Sequence, residues 1–354
     1  MALRHLISIE TLTMDEWNDL YRLARDIMER PGDYSDACRG KVMATLFFEP
    51  STRTNFSCQA AMMRLGGSVF GFSNPSATSA SKGETLMDTI RMCSGYSDLI
   101  VVRSPYEGSA LAASMYSEVP VINAGDGAHM HPTQTLADLT TITSLRGGVD
   151  GLQVGICGDL KNGRTVHSLI LGLSKFKNIT YYLISPRELA LPNYMLTFLK
   201  QSGQKFIEIT NLESALPQLD VLYMTRIQRE RFEDPAEYER NKGIYVLTGQ
   251  KMELAKKDML VMHPLPRVDE IATDVDADPR AAYFRQARFG MFVRMALIMT
   301  LSSMPREPEN PPRVKEKGLC RNPKCITRFE PELPALFRGE GEERRCSYCE
   351  AEIS

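Results

Sequence analysis

The chain has 354 residues, 43% hydrophobic and 24% charged, with a formal net charge of -2. This is the make-up of a globular protein with room for two domains and an addition, and it excludes a nucleic-acid binder built on a broadly basic surface. Met1 to Glu10 lacks a charged start followed by an apolar core, and Phe289 to Met304 is interrupted by Arg294 and too short for a bilayer, so a cytoplasmic protein with no membrane partner is expected.

Thr13 to Met28 carries Trp17, Leu20, Leu23, Ala24 and Ile27 at helical spacing and stops at Pro31-Gly32. Strand-length runs follow at Val42 to Phe48, Ser68 to Phe72, Leu99 to Val102 and Val119 to Ile122, with helical segments between them. A helix from Pro132 to about Leu145 leads through Arg146-Gly147-Gly148 into a second series of strands: Gln153 to Cys157, Thr180 to Ile184, Lys205 to Ile209, Val221 to Met224, Ile244 to Leu247 and Met259 to Met262. Such alternation predicts an α/β protein with two similar parallel-sheet domains. Ala281 to Ser303 reads as one long helix, Pro305 to Lys317 as a Pro-rich linker in extended conformation, and a small module starts near Gly318. The expected divisions are residues 1–131 completed by the helix at about 285–304, then 132–284, a linker at 305–317 and a terminal module at 318–354.

Leu46 to Met63 reads as a strand, a tight turn and a helix start. Pro50 keeps Glu49 out of helical geometry, Ser51 falls at the N-cap, and Thr52, Arg53 and Thr54 fill the first turn. Phe56, Ala60, Met63 and Leu65 then recur as an apolar helical row. Free amides, hydroxyls and a guanidinium at a helix N-terminus suit a phosphate-bearing ligand. An ordinary capped helix with an exposed arginine fits this stretch equally well when it is taken alone.

Further polar groups fall at loops and strand ends, where open parallel sheets hold ligands. Lys82 lies in the small-residue loop Ser79 to Thr85, and Arg103 ends a strand. His131 precedes Pro132, with Gln134 one turn in; the histidine suits polarising a carbonyl and the glutamine suits accepting from an amide. Arg164 opens a helix after a glycine-containing turn that lacks dinucleotide spacing. Arg226 and Gln228 leave another strand, and His263-Pro264-Leu265-Pro266-Arg267 leaves a third, its prolines inviting a cis bond. At the end, Cys320-x4-Cys325, twenty residues, and Cys346-x2-Cys349 have the spacing of a structural four-thiolate zinc site, on which so small a module would depend to fold.

With these motifs assembled, residues 1–304 resemble the aspartate carbamoyltransferase family, on Phe48-Glu49-Pro50-Ser51-Thr52-Arg53-Thr54 and on the ordered motifs at Lys82, His131, Arg164, Arg226 and His263 to Arg267. The resemblance implies that Ser51, Thr52, Arg53, Thr54 and Arg103 hold the phosphate of carbamoyl phosphate. Thr54, Arg103 and His131 would contact its carbonyl oxygen, while Gln134 and the Leu265 carbonyl, next to Pro266, would hold its amide. Arg164, Arg226 and Gln228 would bind the two carboxylates of L-aspartate. Lys82 would bridge both substrates from a neighbouring subunit, with Ser79, or alternatively Ser81, beside it. Glu49 and Arg231 match residues that link the family's domains on closure. A homotrimer with shared sites, or a hexamer of two trimers, is implied.

The terminal module resembles the zinc domain of the family's regulatory chain, through Asn322 and Cys346-Ser347-Tyr348-Cys349-Glu350, here without that chain's nucleotide-binding domain. One structural zinc per chain is therefore expected, no cofactor for catalysis, and docking on a catalytic subunit, its own or a neighbour's, without nucleotide sensing. An ornithine carbamoyltransferase-like enzyme is the nearest rival, but arginines 164 and 226 would repel a cationic substrate, and Pro264 stands where that relative shows a cysteine. A noncatalytic zinc-ribbon scaffold is a more distant alternative.

Overall fold

The computed structural model describes residues 4–74, 76, 78–227, 236, 239, 242–311, 320–339, 341 and 344–352. The chain divides into two compact units, residues 1–133 with 291–354, and residues 134–290.

In the first unit, helix α1 (Met14–Glu29) opens with a capping box: Thr13 Oγ1 accepts from the Glu16 amide and Glu16 Oε2 accepts from the Thr13 amide. Its inner face is Trp17, Leu20, Ala24 and Ile27. Four parallel strands follow, β1 (Val42–Phe47), β2 (Ser68–Phe72), β3 (Leu99–Ser104) and β4 (Val121–Asp126), in the spatial order β2-β1-β3-β4. β3 and β4 are buried along their whole length and β1 almost so, as parallel strands covered on both faces must be. Between them run α2 (Thr52–Arg64), α3 (Leu86–Tyr96) and α4 (Ser109–Met115). Of the expected row on α2, Phe56, Ala60 and Met63 are not the inner face, whereas Leu65, at the helix's C-cap, is buried. Phe56 and Met63 are 63% and 55% exposed, and Cys58, Ala61 and Met62 are the apolar residues buried instead.

The second unit takes most of α5 (Pro132–Arg146) and five parallel strands: β5 (Gln153–Cys157), β6 (Thr180–Ile184), β7 (Lys205–Ile209), β8 (Val221–Met224) and β9 (Leu260–Met262), ordered β7-β6-β5-β8-β9. Helices α6 (Arg164–Leu173) and α7 (Asn193–Gln201) follow β5 and β6. The expected strand at Ile244 to Leu247 does not form. Leu247 makes a lone bridge to Ile271, exchanging bonds with Glu270 and Ala272, and so is spent on a loop rather than on the sheet. The long helix Tyr283–Ser302 begins in the second unit and ends in the first.

The Pro-rich segment that follows is pinned to the first unit over its described part. The Glu307 and Asn310 amides donate to the carbonyls of Glu118 and Met115 at 2.9 and 3.0 Å, and Arg91 pairs with Glu309 at 3.0 Å. Residues 312–319 lie outside the described residues. The cysteine module, in which Phe337–Arg338 pairs antiparallel with Arg345–Cys346, belongs to the first unit. Its Ile326, Leu333 and Tyr348 share one apolar cluster with Leu86, Met87, Ala110 and Ala113 of α3 and α4.

Candidate active site and metal centre

Strands β1, β3 and β4 end side by side, Phe47 in register with Arg103 and Ser104 with Asp126. β1 runs through Glu49-Pro50 to Ser51, which takes the N-cap position in extended conformation. The Ser51 hydroxyl makes no capping bond. A serine cap thus does not compete with an anion for the amides of that first turn. Thr54 is buried there, and Thr52 and Arg53 are exposed. Arg103, buried at the end of β3, gives Nη1 to the Ala124 carbonyl at 3.0 Å and sets Nη2 2.8 Å from Glu49 Oε2. That carboxylate pairs what would otherwise be a costly buried charge.

Ser79, Ser81 and Lys82 share one 3-10 turn, Ser79–Lys82, closed by Gly83 in the left-handed region. All three side chains are exposed, and the turn's bonds are local, with Ser81 Oγ donating to the Thr78 carbonyl at 2.7 Å.

The loop after β4 turns on Asp126, a buried carboxylate that accepts from the Gly108 amide at 2.8 Å, the Met130 amide at 3.0 Å and Asn123 Nδ2 at 3.1 Å. His129 lies between Asp126, 3.0 Å from its Nδ1, and Glu350, 3.5 Å from its Nε2. Burial works against charge on this imidazole, but the two carboxylates outweigh it and raise its pKa well above the ordinary value. His131 is buried two residues on, its Nδ1 3.4 Å from Thr133 Oγ1.

In the second unit Gln134 donates Nε2 to Asp138 Oδ1 at 2.8 Å, which leaves its oxygen as the acceptor for a ligand amide. Asp138 is fully buried and also accepts from Gln286 Nε2 at 2.6 Å and the Tyr223 hydroxyl at 3.0 Å. Burial and that carboxylate push the Tyr223 phenol well above its usual range, so it remains a donor. The His263 amide donates to Gln286 Oε1 at 2.9 Å, joining the same network. His263 Nδ1 accepts from the Leu265 amide at 2.7 Å, while Nε2 faces Glu270 Oε1 at 2.7 Å. Burial would raise the Glu270 pKa, but the bond to His263 prevails and lowers it. Leu265 sits at φ 55°, in the left-handed region, ahead of a cis bond to Pro266.

Arg164 opens α6 just beyond the end of β5, and Arg226 follows the end of β8, strands whose ends Cys157 and Met224 are in register. A cleft lined by Gly158, Thr225, Arg226, Tyr245 and Glu270 lies at that edge. Gly158 has φ 122°, and a Cβ there would strike the Thr225 carbonyl. Gln228 and Arg231 lie outside the described residues.

Sequence reasoning missed Asp138, Tyr223 and Gln286. One signal was available: Asp138 is the only charged residue of α5 before Arg146, and a lone acid among Leu136, Ala137 and Leu139 calls for buried partners.

The four terminal cysteines are buried, and their sulfurs lie within 4.8 Å of one another. Cys320 and Cys349 sulfurs are 3.5 Å apart, and those of Cys325 and Cys346 3.8 Å. Four thiolates about 2.3 Å from a tetrahedral zinc stand about 3.8 Å apart, so this donor set fits that ion.

Residues 4–144 match the carbamoyl-P binding domain of aspartate/ornithine carbamoyltransferases, residues 150–301 the Asp/Orn binding domain, and residues 313–354 the metal binding domain of the aspartate carbamoyltransferase regulatory chain. The aspartate carbamoyltransferase catalytic subunit of Clostridium perfringens strain SM101 is 56% identical over 299 residues, 84% of this chain and 97% of that protein. Among solved structures, the catalytic subunit of M. jannaschii aspartate transcarbamoylase in an orthorhombic crystal form is 48% identical with TM-score 0.79, covering 84% of this chain and 97% of its own. The Trypanosoma cruzi enzyme in complex with carbamoyl aspartate and phosphate is 42% identical with TM-score 0.80, covering 85% and 96%. The chain belongs to the aspartate carbamoyltransferase catalytic-subunit family and carries a regulatory-chain-like metal-binding domain at its C-terminal end.

Proposed function

We propose that the protein transfers the carbamoyl group of carbamoyl phosphate to the amine of L-aspartate, releasing N-carbamoyl-L-aspartate and phosphate, in de novo pyrimidine biosynthesis. The observation that carries this reading is the first turn of α2, with no bond from the Ser51 hydroxyl capping it, beside a buried arginine at the end of β3, in a family member of this identity.

The donor is a mixed anhydride and already activated, so catalysis consists of orientation and charge stabilisation. Ser51, Thr52, Arg53, Thr54 and Arg103 take the phosphate, with Lys82 and Ser79 supplied by a neighbouring subunit. Thr54, Arg103 and His131 stabilise the oxygen of the tetrahedral intermediate as the aspartate amine attacks the carbamoyl carbon. Gln134 and the Leu265 carbonyl accept from the carbamoyl amide, and the departing phosphate takes the amine proton. Arg164, Arg226 and Gln228 pair with the aspartate carboxylates.

We infer a homotrimer in the cytoplasm, alone or paired as a hexamer. Two aromatic or sulfur side chains seven residues apart on α2, Phe56 and Met63, stand exposed near the edge strand β2, and such an apolar row suits a subunit interface. One zinc per chain, held by Cys320, Cys325, Cys346 and Cys349, serves structure, since four thiolates leave a tetrahedral ion no open position.

The test is carbamoyl transfer by zinc-replete protein with L-aspartate or L-ornithine, following phosphate and the carbamoylated product together. Product with aspartate alone is expected. Turnover with ornithine alone would overturn the assignment of Arg164 and Arg226, and no turnover in a zinc-loaded trimer would overturn the activity.

A further inference from the structure

The metal module reaches the loop that carries His131 through Glu350. Glu350 follows Cys349 directly and is held in the left-handed region at φ 62°, its amide donating to the Cys346 carbonyl at 2.9 Å. Its backbone is thus part of the knuckle that a bound metal would fix. Its carboxylate meets Arg338 at 2.6 Å on one side and His129 Nε2 at 3.5 Å on the other. His129 in turn faces Asp126, the residue that ties together Gly108, Asn123 and Met130. Only Met130 separates His129 from His131.

Nearby backbone contacts keep this path short. Gly108 packs so closely on the knuckle that a Cβ there would lie 2.5 Å from the Tyr348 Cβ. The Glu107 amide donates to the Lys324 carbonyl at 2.9 Å, and the Ile326 amide donates to the Glu107 carbonyl at 2.9 Å. The turn at Glu107 and Gly108, which the Gly108 amide ties to Asp126, is therefore braced by the module as well as by the α/β sheet.

We propose that His129 is a positioning residue: through Glu350 the metal knuckle sets the loop that presents His131, and so tunes how well the first unit holds its anion. The inference rests on the carbamoyl phosphate reading of that site. His129 touches no substrate in this scheme and acts through the loop it anchors.

The experiment uses the full-length zinc-loaded protein, with inorganic phosphate as the probe in titration calorimetry and hydrogen exchange of peptides spanning residues 123–131. Glu350→Gln and His129→Gln are compared with the parent, each checked for zinc content and melting temperature. With all four thiolates retained, both variants should keep their zinc, weaken phosphate binding about tenfold, the scale on which groups that orient a ligand residue act, and exchange faster in 123–131. The apparent KM for carbamoyl phosphate should rise while that for aspartate holds. The double variant should be no weaker than either single one, because both remove the same link. If His129→Gln fails to fold, Glu350→Gln carries the test alone. Parent-like phosphate affinity, or parent-like exchange, in a zinc-loaded variant would overturn the proposal. Should the parent itself fail to bind phosphate, the functional reading falls, and exchange then decides by itself whether the module braces the loop.

Discussion

At the scale of single residues, two carboxylates determine what their neighbours offer a ligand. Glu49 sits 2.8 Å from Arg103, so a phosphate that reaches this arginine meets a guanidinium already paired and desolvated. Asp138 takes the amide nitrogen of Gln134 and thereby orients the other end of that side chain as an acceptor. Arg164 has a separable role in the proposed scheme. Arg164→Ala should raise the KM for aspartate roughly 100-fold, the worth of a charge-assisted pair, and leave phosphate affinity unchanged. Steady-state kinetics beside phosphate calorimetry would check both halves. His5 gives a pH prediction outside the site. Burial first, then Arg4, lowers its pKa from 6.5 to about 4, and its Nδ1 accepts from the Val121 amide at 3.0 Å. Between those values the unfolded chain binds a proton that the folded chain refuses, so this contribution is present above pH 6.5 and is lost as pH falls towards about 4. Melting temperature against pH should fall less steeply over that window in His5→Gln.

At the scale of elements, α2 and α4 show how a helix end is given over to a task. α2 begins at a serine whose hydroxyl makes no capping bond, so in the proposed scheme Ser51 does not compete with the phosphate for the first-turn amides. α4 begins at Gly108, with φ 83° and a backbone pressed against Tyr348. Only glycine meets both demands. Gly108→Ala should cost at least about 2 kcal/mol, from the left-handed backbone and the collision together. The check is a lower melting temperature, accompanied by faster hydrogen exchange in the module and not in the second unit. α3 depends on the module too, since Glu330 Oε1 accepts from the Leu86 amide at 2.7 Å in its first turn. The exposed row on α2 carries a lesson about periodicity: helical spacing marks a face but does not say whether this chain or another copy covers it.

At the scale of the whole chain, the metal module is built into the first unit's core, so losing the metal reaches beyond the module. Stripping it with a mercurial and a chelator should unfold residues 320–352 and uncover Leu86, Met87, Ala110 and Ala113. Binding of a hydrophobic dye and proteolysis confined to the C-terminal end, with the α/β circular dichroism retained, would show this; a protein that keeps its module without metal would contradict it. The sequence by itself determined the class of the molecule. Period-two and period-3.6 patterns are local, so most strands were legible to within a residue or two, and paired cysteines at short spacing declare a metal site wherever they fall. The cations at strand ends were legible because a parallel sheet aligns those ends whatever the strand order. Only the tertiary structure decided that Ile244 to Leu247 pairs with a loop, that Asp138 joins Tyr223 to Gln286, and that Glu350 reaches His129. Each of these joins residues far apart in the chain, and such partners are selected by packing and by the cost of leaving a buried polar group unpaired, neither of which a local pattern records.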